Sequence, residues 1–160
     1  MDQHLIAIDL DGTTLNNRSK LTAETINTLR SAAKDGHIVS IITGRPYRIA
    51  QHIYDQIGIQ TPMVNFNGAL THIPHQNWDK EYEIELTKEL ALDLLAHRDE
   101  LGIDTITVES KDHFWANQAT KDVPEFLPNR LKPSQLLSKR NLSDNPIAMT
   151  IEYQPGSKKK

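Results

Sequence analysis

Two carboxylates lie close together near the start of the chain. Asp9 and Asp11 fall at the end of a short apolar run, Leu5 to Leu10, and Gly12 and Thr13 follow directly. The run is typical of a strand buried on both faces, and alternate residues of a strand share one face, so both carboxylates can face one cleft. Burying two ionised acids is costly, and a bound metal ion removes that cost. The pattern predicts a metal-assisted reaction at this point.

Phosphoryl transfer is the chemistry that these residues fit best. A carboxylate and a phosphate monoester repel each other, and a hard divalent cation such as Mg²⁺ brings them together. One carboxylate can attack phosphorus, while a second acid protonates the leaving alkoxide and later activates water. Gly12 allows a sharp turn close to a bound anion. The alternative interpretation of Asp9 and Asp11 is a plain turn and helix entry.

Three strand patterns alternate with two helix patterns in the first part of the chain, where Thr22 is expected to cap the first helix and Gly36 to end it. The predicted order is strand 5–10, helix 23–35, strand 37–43, helix 46–57 and strand 62–66. This alternation is typical of a parallel sheet with right-handed crossovers, whose ligands lie at the carboxyl ends of its strands. Asp9, Thr43 and Asn67 occupy those ends and are expected to meet in one cleft.

Three short motifs carry a resemblance to a known family. Asp9 to Thr13 resembles the first motif of the haloacid dehalogenase-like (HAD) hydrolases, and with Thr43-Gly44-Arg45 and Asn67-Gly68-Ala69 the chain is similar to the Cof-type phosphatases, subclass IIB. The resemblance implies an aspartyl-phosphate formed on Asp9 and general acid-base catalysis by Asp11. It also implies Mg²⁺ held by the Asp9 carboxylate, the Asp11 main-chain carbonyl and an aspartate further along the chain.

The remaining motif residues are expected to bind phosphate. Thr43, Gly44 and Arg45 match the family's second motif, which binds the transferring phosphoryl group at a helix N-terminus, where anions are favoured. Gly12 is assigned to the same group of residues. The alternative for residues 43–45 is a helix cap with a surface arginine. Asn67 and Gly68 are expected to face the substrate, although a plain hairpin turn explains them nearly as well.

The second half of the chain has a different pattern. The predicted organisation is a core portion over residues 1–70, a linker over 71–80 and a partial α/β cap over 81–160. Predicted cap elements are a strand at 82–86, a helix from Thr87 to Leu101, strands at 103–109 and 114–117, a loop at 120–146 with a short helix near 134–138, and a strand at 147–153. The fold class is therefore α/β: a partial doubly wound, Rossmann-like parallel-sheet core with a partial cap. His72 and His75 do not predict a zinc site, because their spacing straddles a proline in a loop and the chain has no cysteine.

Two family motifs are not recognisable. The third motif is a lysine and the fourth a Gly-Asp pair, whereas Lys158, Lys159 and Lys160 end the chain and Asp144 lacks a preceding glycine. We therefore expect a truncated chain that is a poor catalyst alone and that self-associates through an uncovered sheet or cap. A phosphomutase, or a catalytically silent fragment acting as a binding module, are the alternatives to a phosphatase.

Composition narrows the partners. The 160 residues carry a net charge of −3 with acids and bases well mixed, which argues against nucleic acid and against an anionic membrane surface. The chain has no cysteine, no signal-peptide pattern and no apolar run that could span a bilayer. A cytoplasmic protein that acts on a small phosphorylated metabolite, with sugar phosphates as the first choice, is expected.

Overall fold

The computed structural model describes residues 2–119, 128 and 130–154, and the chain divides into two compact units. The first unit is Met1–Glu83 and the second is Ile84–Lys160. Residues 120–127 and 129 of the predicted loop, and the lysines at 158–160, lie outside the described residues. Among the helices in the described ranges, none combines the length and the apolar character that crossing a bilayer requires.

The first unit contains the predicted alternation of strands and helices. Its elements are β1 (Leu5–Ile8), α1 (Ala23–Lys34), β2 (Ile38–Ile41), α2 (Tyr47–Ile57), β3 (Met63–Asn65), β4 (Leu70–His72) and β5 (Tyr82–Glu83). β1 and β2 pair in parallel, with Leu5 opposite Ile38 and Ile8 opposite Ile41. Just beyond β2, Ile42 forms a parallel bridge with Val64 of β3. β2 therefore lies between β1 and β3, and the α/β class predicted from the sequence is confirmed.

Local signals set the ends of the two helices. The Thr22 hydroxyl accepts a hydrogen bond from the Thr25 N–H at 3.1 Å, which caps α1 as predicted. Pro46 stands at the start of α2, and Gly58 ends it in the left-handed conformation (φ 76°). The buried face of α2 comprises Ala50, Ile53, Tyr54 and Ile57, which pack with Leu10, Val39 and Ile41 in one apolar cluster. This packing fixes the strands whose ends carry the motif residues.

A hairpin follows β3. The predicted turn at Asn67-Gly68 is confirmed, because β4 returns antiparallel to β3 with Asn65 opposite Leu70. β5 then pairs with β4, so the strand expected at 82–86 is shorter and joins the sheet of the first unit. The division between units follows Glu83, whereas the sequence interpretation placed a linker at residues 71–80.

The second unit is an antiparallel sheet with one helix. Its elements are α3 (Lys88–Ala96), β6 (Ile103–Glu109), β7 (Phe114–Ala116) and β8 (Ala148–Tyr153). The strand order is β7-β6-β8, and Trp115 and Ile106 belong to its buried cluster. Thr87 caps α3 as predicted, but the helix ends at Ala96, before Leu101. The short helix expected near 134–138 is a single turn over Pro133–Gln135.

Candidate active site

A wide turn follows β1 and presents the two carboxylates. The Leu15 N–H donates to the Leu10 carbonyl at 2.9 Å, and Gly12 has a φ of 71°, a conformation that few other residues adopt. Leu10 and Leu15 are buried in the core, whereas Asp9 and Asp11 are exposed. The apolar residues of this turn therefore anchor it, and the alternating acids point away from the core.

Asp11 is held by Arg45. The Arg45 Nε donates to Asp11 Oδ2 at 2.8 Å, and Nη2 donates to Oδ1 at 2.6 Å. The Arg45 side chain is 5% exposed and that of Asp11 is 57% exposed. These hydrogen bonds and the positive charge lower the pKa of the Asp11 carboxyl below its usual value, although partial burial opposes the effect. The contact with Arg45 therefore favours the ionised form of Asp11.

The loop after β2 is tied to the loop after β3. The buried Thr43 accepts the Arg45 N–H on its hydroxyl at 3.1 Å, and its carbonyl accepts the Asn67 N–H at 3.3 Å. A Cβ at Gly44 would lie 2.8 Å from Asn67 Oδ1, so any larger residue here would displace the Asn67 side chain. The backbone of Asn67 has the left-handed conformation, with a φ of 57°. The two loops therefore interlock at Gly44 and Asn67.

These contacts connect most of the residues that the sequence predicted. Asp11 and Arg45 join the first and second loops, and Thr43, Gly44 and Asn67 join the second and third. Asp9 contacts its own turn, where Thr13 Oγ1 lies 3.4 Å from Asp9 Oδ2. The turn residues Gly12 and Gly68 both have positive φ angles. The guanidinium of Arg45 faces Asp11 and is buried, unlike the surface arginine of the alternative interpretation.

Two buried polar residues lie beside the site, of which the sequence interpretation assigns no role to Asn65 and considers His72 only as a zinc ligand. Asn65 and His72 are both fully buried. Asn65 Nδ2 donates to the Arg45 carbonyl at 3.1 Å, and Asn65 Oδ1 lies 3.1 Å from His72 Nε2. The sequence signal that could have found them is a polar residue at an inward-facing position of each of the short strands β3 and β4. His75 is exposed, and its Nε2 lies 2.8 Å from Asp55 Oδ1.

The described residues include the kinds of oxygen ligand that Mg²⁺ prefers, but they supply fewer acidic ligands than the family's site requires. Mg²⁺ is usually held by one or two carboxylates and several waters. Asp9 offers an exposed carboxylate, and the main-chain carbonyl of Asp11 remains the ligand expected of that residue, since its carboxylate binds Arg45. No group of three or more acids, histidines or cysteines suited to a metal occurs within residues 2–119, 128 and 130–154. The third acidic ligand implied by the family is therefore not supplied by the described part of the chain.

A family model decides the classification. The model of the haloacid dehalogenase-like hydrolases matches residues 6–160. The chain belongs to this family. Among curated relatives, the HAD-like hydrolase chain is 36% identical over 109 residues to the 5-amino-6-(5-phospho-D-ribitylamino)uracil phosphatase YitU of Bacillus subtilis (strain 168). That match covers 68% of this chain and 40% of YitU, so the chain spans less than half the length of this relative.

Solved structures agree with the fold of this HAD-like hydrolase. A haloacid dehalogenase-like hydrolase from B. subtilis superposes with a TM-score of 0.60 at 32% identity, over 74% of this chain and 41% of that one. The HAD subclass IIB sugar phosphatase BT4131 superposes with a TM-score of 0.67 at 21% identity, over 94% of this chain and 58% of that one. The family and the fold class predicted from the sequence are confirmed.

Proposed function

We propose that the protein hydrolyses small phosphomonoesters in a magnesium-dependent reaction through an aspartyl-phosphate on Asp9. The observation that carries this proposal is an exposed Asp9 next to an Asp11 that Arg45 holds in place, at the ends of parallel strands. Membership of a hydrolase family and the phosphatase names of relatives support it. The substrate of YitU, as its name states it, carries a phosphorylated ribityl chain, which supports sugar phosphates or related cytoplasmic metabolites as substrates.

The proposed reaction has two steps. In the first, an Asp9 carboxylate oxygen bonds to phosphorus and the bond to the leaving oxygen breaks. Asp11 gives its proton to that oxygen in the minority of molecules in which it is protonated, and it thereby becomes the carboxylate that Arg45 binds. In the second, water attacks phosphorus and gives its proton to Asp11 while the Asp9–phosphorus bond breaks, which releases inorganic phosphate. Asp9 and the Asp11 carbonyl would hold Mg²⁺, whose charge offsets the repulsion between carboxylate and phosphate.

The second and third loops are proposed to bind the phosphoryl oxygens. Because the Thr43 hydroxyl accepts the Arg45 N–H, its own proton can be donated to a phosphoryl oxygen. Gly44 and Gly12 present backbone without side chains to the same anion, and α2 begins just beyond, with its positive end toward this loop. Asn67 and Gly68 complete this group across the interlocked loops.

Asp9→Asn tests the nucleophile in the gene product that contains this chain. We expect kcat/KM to fall about 10⁴-fold or more, as for other covalent nucleophiles. Mass spectrometry after an acid quench should detect a phosphoryl adduct in the wild-type protein and none in Asp9→Asn. Asp35→Asn is the matched control, because Asp35 is an exposed aspartate that leads into β2 at the opposite edge of the sheet. Turnover by Asp9→Asn at the wild-type rate would rule out the covalent mechanism.

Product analysis separates the alternatives. Release of inorganic phosphate that stops when Mg²⁺ is chelated supports a phosphatase, whereas conversion of one sugar phosphate into an isomer would identify a phosphomutase. Binding of phosphate esters without turnover would identify a silent binding module, the alternative favoured by the absence of a third acidic ligand from the described residues.

A further inference from the structure

We propose that Arg45 is a positioning residue for Asp11 instead of a phosphate ligand, and that Asn65 and His72 hold Arg45 for this role, an assignment that rests on the phosphatase function proposed above. Two nitrogens on one edge of the Arg45 guanidinium donate hydrogen bonds to the two carboxylate oxygens of Asp11. Two parallel hydrogen bonds fix the plane of a carboxylate as well as its distance. The side chain of the arginine is 5% exposed and that of the acid 57%, so the arginine is the fixed partner and Asp11 is the group that is held.

The backbone of Arg45 is also fixed at both of its polar groups. Its N–H donates to the Thr43 hydroxyl at 3.1 Å. Its carbonyl accepts from Asn65 Nδ2 at 3.1 Å and from the Phe66 N–H at 3.4 Å. The side chain therefore extends from a main-chain position that the second and third loops together define.

Asn65 connects this position to the core. Because Asn65 Nδ2 donates to the Arg45 carbonyl, its Oδ1 is the acceptor for His72, and His72 Nε2 carries the proton of that bond. The His72 and Tyr47 rings pack nearly at right angles, with centroids 4.5 Å apart. A continuous series of contacts thus runs from β4 through Asn65 and Arg45 to the exposed Asp11.

This arrangement suits an acid-base residue better than a phosphate site. A phosphoryl group would have to displace the Asp11 carboxylate from the same edge of the guanidinium. A general acid-base group, in contrast, must be within hydrogen-bond reach of the leaving oxygen, and a small misplacement lowers the rate steeply. Asp11 lies on an exposed turn, where a carboxylate without a fixed partner would rotate freely.

Leaving-group dependence distinguishes the two roles. Arg45→Lys is compared with wild type in single turnovers of 4-nitrophenyl phosphate, whose leaving group needs no proton, and of glycerol phosphate, whose leaving group does. We expect the rate of the first step to fall about 10²-fold or more for glycerol phosphate and much less for 4-nitrophenyl phosphate. Inhibition by inorganic phosphate should change little. An equal loss with both substrates, together with weakened phosphate inhibition, would overturn the assignment and identify Arg45 as a phosphate ligand.

Arg30→Lys is the matched control. The Arg30 guanidinium is also bound, with Nε donating to the Ile57 carbonyl at 2.8 Å and Nη2 to the Gln56 carbonyl at 2.9 Å, but it links α1 to the end of α2. We expect this variant to show wild-type rates with both substrates. A loss of the same size and substrate dependence in Arg30→Lys would show that the Arg45 effect is structural and overturn the assignment.

A nuclear magnetic resonance measurement tests the contact without relying on activity. We expect the Nε–H signal of Arg45 to exchange slowly with solvent in the wild-type protein and rapidly in Asp11→Asn and Asn65→Ala, while the Arg30 signal stays unchanged. An Arg45 signal that is insensitive to Asp11→Asn would overturn the positioning role alone. A protected Arg45 in a protein that turns over no phosphomonoester would overturn the proposed function, and the catalytic role of Arg45 with it.

Discussion

Each unit contains a pair of oppositely ionisable side chains that joins distant parts of the chain, and the two pairs differ in burial. Arg45 and Asp11 in the first unit are 34 residues apart, and His113 and Asp144 in the second are 31 apart. The Arg45 side chain is 5% exposed, whereas those of His113 and Asp144 are 63% and 44% exposed. An exposed pair contributes little free energy and fixes little geometry. A pair can hold a reactive group only when one partner is itself immobilised.

The backbone shows the same contrast. The non-glycine residues with positive φ in the described ranges are Ser19, Phe66, Asn67 and His75, and all four belong to the first unit. Two of them lie in the turn that interlocks with Gly44. Such conformations cost free energy and persist where the surrounding contacts over-determine them. The strain of the described chain is therefore concentrated in the unit that carries the candidate site.

The largest effect on stability is expected from Asn65→Ala, which tests whether the site depends on buried support. The variant removes one hydrogen bond to the buried Arg45 carbonyl and one to the buried His72, and we expect a loss of about 2–3 kcal/mol in the free energy of unfolding of the first unit. Asn141→Ala is the matched control in the second unit, because Asn141 also makes two side-chain hydrogen bonds, both from Nδ2 to carbonyls, but is not buried. Its expected cost is about 0.5–1 kcal/mol.

The tryptophans allow each unit to be followed separately. Trp78 belongs to the first unit and Trp115 to the second. Urea unfolding of Asn65→Ala in a Trp115→Phe background reports on the first unit through Trp78. Equal losses of unfolding free energy for Asn65→Ala and Asn141→Ala would show that burial of the polar contact does not explain the difference between the two units.

Gly44→Ala tests the interlocked loops and is expected to have an intermediate effect. The added methyl group would lie 2.8 Å from Asn67 Oδ1, so we expect a loss of about 1 kcal/mol as the Asn67 side chain is displaced. Asn67→Gly removes the opposing side chain and keeps the positive φ, so the double variant should recover most of the loss. Unfolding free energies of the four proteins form a double-mutant cycle. Strict additivity would show that the two residues do not clash.

Acid unfolding is expected to show the smallest effect. Because Arg45 lowers the pKa of Asp11 in the folded protein, this pair stabilises the fold above the ordinary pKa of 3.8, and the stabilisation is lost as the pH falls through the lowered value. Asp11 is half exposed, so the contribution at neutral pH is below about 1 kcal/mol. The difference in unfolding free energy between wild type and Asp11→Asn should become smaller as the pH falls through the lowered pKa of Asp11. A difference that stays constant over this range would contradict the pairing with Arg45. Asp144→Asn should change stability less.

The sequence predicted the first unit well because its signals are local. Thr22, Pro46 and Gly58 mark helix ends through bonds within a few residues, and apolar runs mark the strands. The short motifs at Asp9, Thr43 and Asn67 then identified the family, which the family model confirmed. Predictions weakened where an element depends on a distant partner: β5 is two residues long because only Leu70 and Thr71 of β4 pair with it.

The order of strands and helices, the loops that carry the motifs and the family were therefore determined by the sequence itself. The direction of Arg45, the burial of Asn65 and His72, and the close approach of Gly44 to Asn67 were decided only by tertiary structure. Each of these contacts joins residues 20 to 34 positions apart or sits on strands whose register places it inward. No local pattern encodes such a contact, because it arises from how the parallel and antiparallel strands pair and not from the preference of any single segment.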